Sequence, residues 1–321
     1  MTMKRSTFLA STSGALAATA MPFTARAAES EIRLVTPTGS ISGTLTLPDS
    51  PAPYPAVLIV AGSGPVDRNG NSGAQLRSDT YKLLAAALAK AGIASVRYDK
   101  RGIGASAAAA PAEADLRFGM YVDDAVAWVK LLAADRRFTG VTIAGHSEGA
   151  LIGTVAAQEA KVRALVLLEG AGRPAPVVLR EQLKSRVPPD LYAQADRIIT
   201  QLQSGHTVAN TPVELAALFR PSAQPYLISW FKYDPAAELA KVRVPVTIVQ
   251  GTADIQVTMT DAAALKAALP SARMIVVQGM NHVLKYAPDT SSMQAIMKAY
   301  EDPSLPVAPQ AVNAVVTAAQ T

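Results

Sequence analysis

The 321-residue chain is half apolar, 17% charged and free of cysteine. Its apolar content with mixed charge excludes a disordered chain, and the missing cysteines exclude disulfide scaffolds, thiol nucleophiles and cysteine-ligated metal. The formal net charge is +5, but without the three basic residues before position 28 only 27 basic residues stand against 25 acidic ones. No Lys/Arg run of the kind that binds phosphate remains, so no nucleic-acid partner is expected.

The first 27 residues have the pattern of a secretory signal peptide. Lys4 and Arg5 form a short basic start, positions 8–21 are rich in Ala, Leu, Thr and Ser, and Ala25 and Ala27 fit the small-residue rule for cleavage. The stretch is too short and too interrupted to form a stable membrane span. The sequence therefore predicts cleavage near Ala27 and a periplasmic or secreted protein.

From residue 32 onward, short apolar runs alternate with helical patterns. The first two strands form a predicted hairpin, and the later runs have the continuous apolar character of strands buried on both faces. This alternation predicts an α/β fold with a mostly parallel sheet and helices on both faces. Strands are predicted at 32–35, 41–47, 56–60, 94–98, 141–144, 164–168, 246–249 and 274–277, and helices at 79–91, 121–133, 150–160, 260–269 and 291–300.

One stretch breaks this rhythm. Residues 172–240 contain helical segments and several prolines but no clear strand, and an insertion of this length favours a helical lid over a site. The predicted core therefore has two parts, 28–171 and 241–302. The Pro- and Ala-rich tail 303–321 is expected to be either a loose end or a short docking helix.

The sharpest local motif is Gly-His-Ser-Glu-Gly at 145–149, between a predicted strand and a predicted helix. A serine on such a turn adopts strained dihedral angles, which flanking glycines permit, and its hydroxyl is exposed at the helix N-terminus. The pattern predicts that Ser147 is a nucleophile.

A serine nucleophile needs a base, and the chain has three histidines. His146 adjoins the serine and is expected to point away from it, whereas His206 lies in the predicted lid. His282 follows the last buried strand, so its loop lies at the same sheet edge as Ser147. His282 is therefore the predicted base.

A carboxylate is needed to orient that base. Asp254 lies just past the strand at 246–249, which gives the chain order Ser147, Asp254, His282. Glu169, after the preceding strand, is the rival candidate.

The negative oxygen of an acyl-transfer intermediate needs two backbone donors. The N–H of Glu148, directly after the serine, is the first candidate. The second is expected from the loop Ala-Gly-Ser-Gly-Pro at 61–65, with the N–H of Ser63 favoured and that of Gly64 next. The Glu148 side chain is expected to pair with an arginine such as Arg68 or Arg101.

These motifs together resemble the α/β hydrolase superfamily over about residues 31–300. The segments 61–71, 145–149 and 218–222 resemble a branch of bacterial carboxylesterases that is related to serine aminopeptidase-like hydrolases. The resemblance implies an eight-stranded sheet, hydrolysis of small-molecule acyl esters, no metal and no organic cofactor. It also places Ser147, Asp254 and His282 in the catalytic triad.

The sequence therefore predicts a serine carboxylesterase acting on short-to-medium acyl esters. An aminopeptidase or amidase, with Glu169 or Glu214 as the anchor for a substrate amine, is the alternative, as is a lactonase. A catalytically silent binding protein would keep the fold without the chemistry. The acyl preference and the oligomeric state are left open by the sequence.

Overall fold

The computed structural model describes residues 28–73, 76–287 and 292–321. The predicted signal peptide, 1–27, lies outside the described residues. The sheet has eight strands, which we number β1–β8 in chain order. They span Ala28–Thr36, Gly39–Leu47, Tyr54–Val60, Ala94–Tyr98, Phe138–His146, Ala164–Leu168, Val246–Gly251 and Arg273–Val277.

The strand order across the sheet is β1-β2-β4-β3-β5-β6-β7-β8. The hairpin β1–β2 is antiparallel, β2 pairs antiparallel with β4, and every pairing from β4 to β8 is parallel. The mostly parallel eight-stranded sheet is therefore confirmed. A small two-stranded ribbon, Asn71–Ser72 with Leu76–Arg77, was not predicted.

Eleven α-helices occur in the described residues. They are α1 Thr80–Lys90, α2 Phe118–Ala133, α3 Glu148–Glu159, α4 Ala175–Lys184, α5 Pro189–Gln203, α6 Ala216–Phe219, α7 Gln224–Trp230, α8 Pro235–Leu239, α9 Met259–Ala268, α10 Met293–Glu301 and α11 Pro309–Gln320. The helix predicted at 291–300 is thus α10, and its expected first residue lies outside the described ones.

Two apolar layers cover the two faces of the sheet. Successive side chains of a strand point to opposite faces, and in β3 Leu58 joins one cluster while Val57 and Ile59 join the other. Residues of α2, α3 and α9 complete the first layer, and residues of α1 and α11 complete the second. Helices on both faces are therefore confirmed.

The segment 172–240 is helical, with α4–α8 and no strand among these residues, all of which are described. It has a small apolar cluster of its own, built by residues of α5, α6 and α7 such as Ile199, Phe219 and Leu227. The insertion is therefore a packed helical unit rather than a long structureless loop.

Two alternatives were expected for the tail after residue 303. The structure shows the docking helix, and the expectation of a loose end is wrong. Helix α11 buries Ala311, Ala314, Val315, Ala318 and Ala319 against the sheet. The small side chains let the helix lie close to the strands, so the core extends beyond its predicted limit at 302.

This packing makes α11 part of the folded core, which a single substitution can test. Val315 is fully buried, so Val315→Ala is expected to lower the free energy of unfolding by about 2 kcal/mol through lost burial and a residual cavity. Val213→Ala, at a position that is 81% exposed, is the matched control. Equal values for the two variants in urea unfolding would contradict the role of α11.

Candidate active site

Ser147 lies on a sharp turn between β5 and α3. Its φ of 55° and ψ of −120° are strained for a residue with a side chain, and such strain costs on the order of 1–3 kcal/mol. A Cβ at Gly149 would collide with the carbonyl oxygen of Val60, and one at Gly145 with the carbonyl group of Gly149. Glycine at both positions therefore lets the turn pack directly against the end of β3.

His282 and Asp254 come together at the carboxyl edge of the sheet. His282 lies in the loop after β8, and its Nδ1 is 2.7 Å from Oδ2 of Asp254, in the loop after β7. The other oxygen, Oδ1, accepts the N–H groups of Gln256 at 2.7 Å and Val257 at 3.0 Å. The carboxylate is thus held from both sides and fixes the orientation of the imidazole ring.

The charge of Asp254 depends on these contacts. Burial by itself would raise the pKa of Asp254, but the charge and hydrogen bond of His282, with a hydrogen bond from Glu169, lower that pKa below its ordinary value overall. Asp254 is therefore ionised at neutral pH, the state needed to stabilise a positive imidazole.

Ser147 and His282 border the same cavity. No hydrogen bond joins the Ser147 hydroxyl to His282 within the described part of the chain. Such contacts are often long without substrate and shorten when the substrate is bound. The structure therefore brings the three predicted residues to one sheet edge, with the histidine–carboxylate bond already formed.

Glu169, the rival third residue, does not reach the His282 ring, which is bonded to Asp254 instead. Glu169 is fully buried behind the carboxylate, with Oε1 accepting the N–H of Gly251 at 2.8 Å. It contacts Asp254 rather than replacing it.

The loop after β3 is anchored through both backbone polar groups of Gly62. The N–H of Gly62 donates to the Tyr81 hydroxyl at 3.1 Å, and the carbonyl of Gly62 accepts from Lys100 Nζ at 2.6 Å. Ser63 follows and borders the cavity together with Ser147. Of the predicted donors, Ser63 and Glu148 lie beside the serine, whereas Gly64 borders neither described cavity.

The partner of Glu148 is Lys100, so the expectation of an arginine partner is wrong. Lys100 Nζ lies 2.9 Å from Oε2 of Glu148, both side chains are buried, and the Tyr226 hydroxyl donates to the other oxygen. Arg68 pairs with Asp99 and Arg101 with Asp124. Sequence reasoning did not identify Lys100 as the partner, because Lys100 follows β4 and only the strand order, with β3 between β4 and β5, brings it close to the serine turn.

His146 has a structural arrangement of its own. Its Nδ1 is 2.8 Å from the Tyr81 hydroxyl and its Nε2 is 2.6 Å from the backbone carbonyl of His282. Burial, followed by the charge of His282, lowers the pKa of His146 to about 3. The ring is therefore neutral, with Nε2–H donating and Nδ1 accepting, and it ties the serine turn to the loop of His282. The third histidine, His206, is exposed in the helical insertion.

Two cavities meet at Ser147. The larger, about 200 Å³, is bordered by His282 and by hydroxyl groups, and we call it the hydroxyl-lined cavity. The smaller, about 80 Å³, extends under the helical insertion, and we call it the insertion cavity. Ser63, Ser147 and Gln256 border both cavities. The hydroxyl-lined cavity is also bordered by Ser72, Ser78, Thr80, Tyr81 and Tyr300, and the insertion cavity by Leu151, Val178, Leu179, Trp230 and Val257.

Two features are absent from the described residues. No group of three or more His, Asp or Glu side chains there is arranged to hold a metal ion. No helix there is both long and apolar enough to cross a membrane.

The buried Lys100–Glu148 pair leads to a prediction on stability. Lys100→Met is expected to lower the free energy of unfolding by about 3–5 kcal/mol, because it leaves the Glu148 carboxylate buried without its cation. Arg33→Met, which breaks the exposed pair with Glu31, is the control and is expected to leave the urea unfolding curve nearly unchanged. The double variant Lys100→Met/Glu148→Gln is expected to recover part of the loss. Similar urea unfolding curves for the two single variants would contradict this account.

The chain is similar to known proteins in sequence and in fold. The family model described as Serine aminopeptidase, S33 matches residues 71–289. Esterase EstD of Thermotoga maritima is 26% identical over 247 residues, which are 76% of this chain and 58% of that relative. Two solved structures are similar in fold. Est1E from Butyrivibrio proteoclasticus is 18% identical, with a TM-score of 0.55 and coverage of 84% of this chain and 96% of that chain. The esterase domain of a Rhodothermus marinus protein is also 18% identical, with a TM-score of 0.54 and coverage of 85% of this chain and 95% of that chain. The chain belongs to the S33 serine aminopeptidase family and has the α/β hydrolase fold.

Proposed function

We propose that this protein is a serine carboxylesterase that hydrolyses short-to-medium acyl esters. The observation that carries the proposal is the bond of His282 Nδ1 to Asp254 beside a cavity that both His282 and Ser147 border. The esterase name of the similar Thermotoga maritima protein supports the same reaction class, although this chain spans only 58% of that relative.

In the proposed reaction, Ser147 Oγ attacks the ester carbonyl carbon while His282 Nε2 accepts the hydroxyl proton. Asp254 keeps Nδ1 protonated and stabilises the imidazolium that forms. The tetrahedral intermediate expels the alcohol, which takes its proton from His282. Water then repeats these steps on the acyl-enzyme and releases the carboxylic acid.

The backbone N–H groups of Ser63 and Glu148 are the proposed donors to the oxyanion. Neither takes part in a hydrogen bond within the described residues, whereas both polar groups of neighbouring Gly62 do. Because Lys100 holds the Gly62 carbonyl, the loop cannot rotate freely, and the donors are fixed before the charge develops. Such preorganisation is a large part of the stabilisation of this type of transition state.

The proposed orientation of the ester is based on the residues that border the two cavities. His282 must reach the leaving oxygen to protonate it, and it borders the hydroxyl-lined cavity but not the insertion cavity. The alcohol half is therefore proposed to occupy the hydroxyl-lined cavity. The acyl half then lies in the insertion cavity, among Leu151, Val178 and Trp230, so that α4 of the helical insertion limits the length of the acyl chain.

The aminopeptidase alternative requires an acid to bind a substrate amine. Glu169 is fully buried behind Asp254, and Glu214 borders neither described cavity. Glu148 borders the insertion cavity, but its carboxylate is already paired with Lys100. Among the described residues of the two cavities, no carboxylate is free to bind an amine, which favours ester over aminoacyl substrates. Turnover of p-nitrophenyl acetate against aminoacyl-nitroanilides separates the two activities.

The nucleophile is tested by Ser147→Ala. We expect kcat for p-nitrophenyl butyrate to fall by about a millionfold, because no hydroxyl remains to form the acyl-enzyme. A fluorophosphonate probe is expected to label the wild type and to leave this variant unlabelled.

Ser204→Ala, at an exposed position at the end of α5, is the control and is expected to keep full activity and labelling. Turnover or labelling retained by a folded Ser147→Ala variant would refute the proposed nucleophile.

The assignment of the cavities is tested by filling each one. Val178→Phe narrows the insertion cavity, so kcat/KM for octanoate relative to acetate esters is expected to fall by about tenfold. Leu76→Phe narrows the hydroxyl-lined cavity and is expected to alter the preference among alcohol groups instead, with the octanoate-to-acetate ratio unchanged. The opposite pattern would reverse the orientation of the substrate.

A further inference from the structure

Glu169 occupies a constrained position directly after β6. It is fully buried, and its φ of 50° lies in the left-handed region, which is uncommon for residues other than glycine. Its N–H donates to the Val249 carbonyl at 3.0 Å. With the backbone in this conformation, the carboxyl group lies beside Gly251, where β7 ends and the next loop begins.

Every polar contact of this carboxyl group is on or near the β7 strand. Oε1 accepts the N–H of Gly251 at 2.8 Å, and Oε2 accepts Nε2 of Gln250 at 2.5 Å. A side-chain hydrogen bond joins Glu169 to Asp254. A Cβ at Gly251 would lie only 2.8 Å from Oε1, so a side chain at this position would collide with the Glu169 carboxyl group.

Two carboxyl groups joined by a hydrogen bond need one proton between them, because two carboxylates offer acceptors only. No lysine or arginine forms an ion pair with Glu169 in the described part of the chain. Burial, followed by the charge of Asp254, raises the pKa of Glu169 well above its ordinary value. Asp254 has the His282 ring as its positive partner, so Asp254 is the ionised member of the pair.

The other titratable groups around Glu169 do not change this assignment. Asp254 faces it from the loop after β7, and His282 lies beyond Asp254. Tyr300 of α10 is a further titratable group whose pKa a charge on Glu169 would affect; burial is the main cause that raises this pKa, so the phenol is neutral. Among the described residues no ion pair includes Glu169, and the Nδ1 of His282 is bonded to Asp254.

We propose that Glu169 is a positioning residue, a neutral carboxylic acid that donates a hydrogen bond to the Asp254 carboxylate and holds it against His282. This inference rests on the proposed function, in which Asp254 orients the base. The donation has two effects: it fixes the carboxylate plane, and it makes Asp254 less basic. The proton on Nδ1 therefore stays on the histidine.

The test compares Glu169→Gln with Glu169→Met. Glutamine keeps a donor toward Asp254 and an acceptor for Gly251, whereas methionine has a similar length and no donor. If Glu169 is neutral, the acid limb of the kcat/KM profile is expected to be unchanged in Glu169→Gln. In Glu169→Met, the Asp254 carboxylate becomes more basic and stabilises the imidazolium form of the base, so the acid limb is expected at a pH about one unit higher, with kcat lowered about tenfold.

The opposite protonation state gives a different result. If Glu169 were ionised, Glu169→Gln would remove a negative charge near His282 and shift the acid limb to lower pH. That shift, or a Glu169→Met variant with an unchanged acid limb, would overturn the proposal. The exposed Glu159→Gln is the matched control and is expected to leave the profile unchanged.

A second measurement needs no activity and separates this inference from the esterase proposal. An acid that is neutral when folded and ionised when unfolded adds stability below its unfolded pKa, and this stability is lost as pH rises toward the folded pKa. We therefore compare the equilibrium constant for unfolding of the wild type with that of Glu169→Gln. The ratio of the two constants, wild type over variant, is expected to rise between pH 5 and 8 by up to about tenfold per pH unit. A flat or falling ratio in urea unfolding would overturn the neutral acid, even if the wild type hydrolyses no ester.

Discussion

The close packing of the β5–α3 turn against the end of β3 is the constraint on which the site depends. Gly149 has no room for a Cβ beside the carbonyl oxygen of Val60, and Gly145 has none beside Gly149. This contact places Ser147 next to the Gly62–Ser63 loop and His146 within reach of Tyr81. A larger residue at either glycine would separate the serine from the proposed oxyanion donors.

Around this contact, several buried polar groups have specific partners. Lys100 neutralises Glu148 and also holds the Gly62 carbonyl. His146 is neutral and joins Tyr81 to the backbone of His282. Glu169 contacts the side chain of Asp254, as Lys100 contacts the carbonyl of Gly62 in the loop after β3. These supporting side chains bond to one another and to the backbone of the site, which favours a fixed arrangement of the reacting groups before substrate binds.

The helical insertion contributes in a different way. It has its own small apolar cluster, and its contacts with the core include the Tyr226–Glu148 bond and the ring of Trp230 at the insertion cavity. The rigid sheet edge carries the groups proposed for the chemistry, whereas the insertion shapes the cavity proposed for the acyl chain. Differences in the insertion are thus expected to change the proposed acyl preference without disturbing the arrangement of Ser147, Asp254 and His282, as expected when function resides in sites built on a shared fold.

The sequence by itself determined the alternation of strands and helices, the turn around Ser147 and the placement of Asp254 and His282 at one edge. It could do so because these features depend on local periodicity and on the rule that parallel strands end at the same edge. Only the tertiary structure decided that Lys100 rather than an arginine pairs with Glu148, that α11 belongs to the core, and that Glu169 contacts Asp254 instead of replacing it. These choices depend on spatial distances between segments far apart in the chain; Lys100 and Glu148, for example, are 48 positions apart in the sequence. Neither composition nor spacing encodes such distances, because the crossovers of the sheet set them.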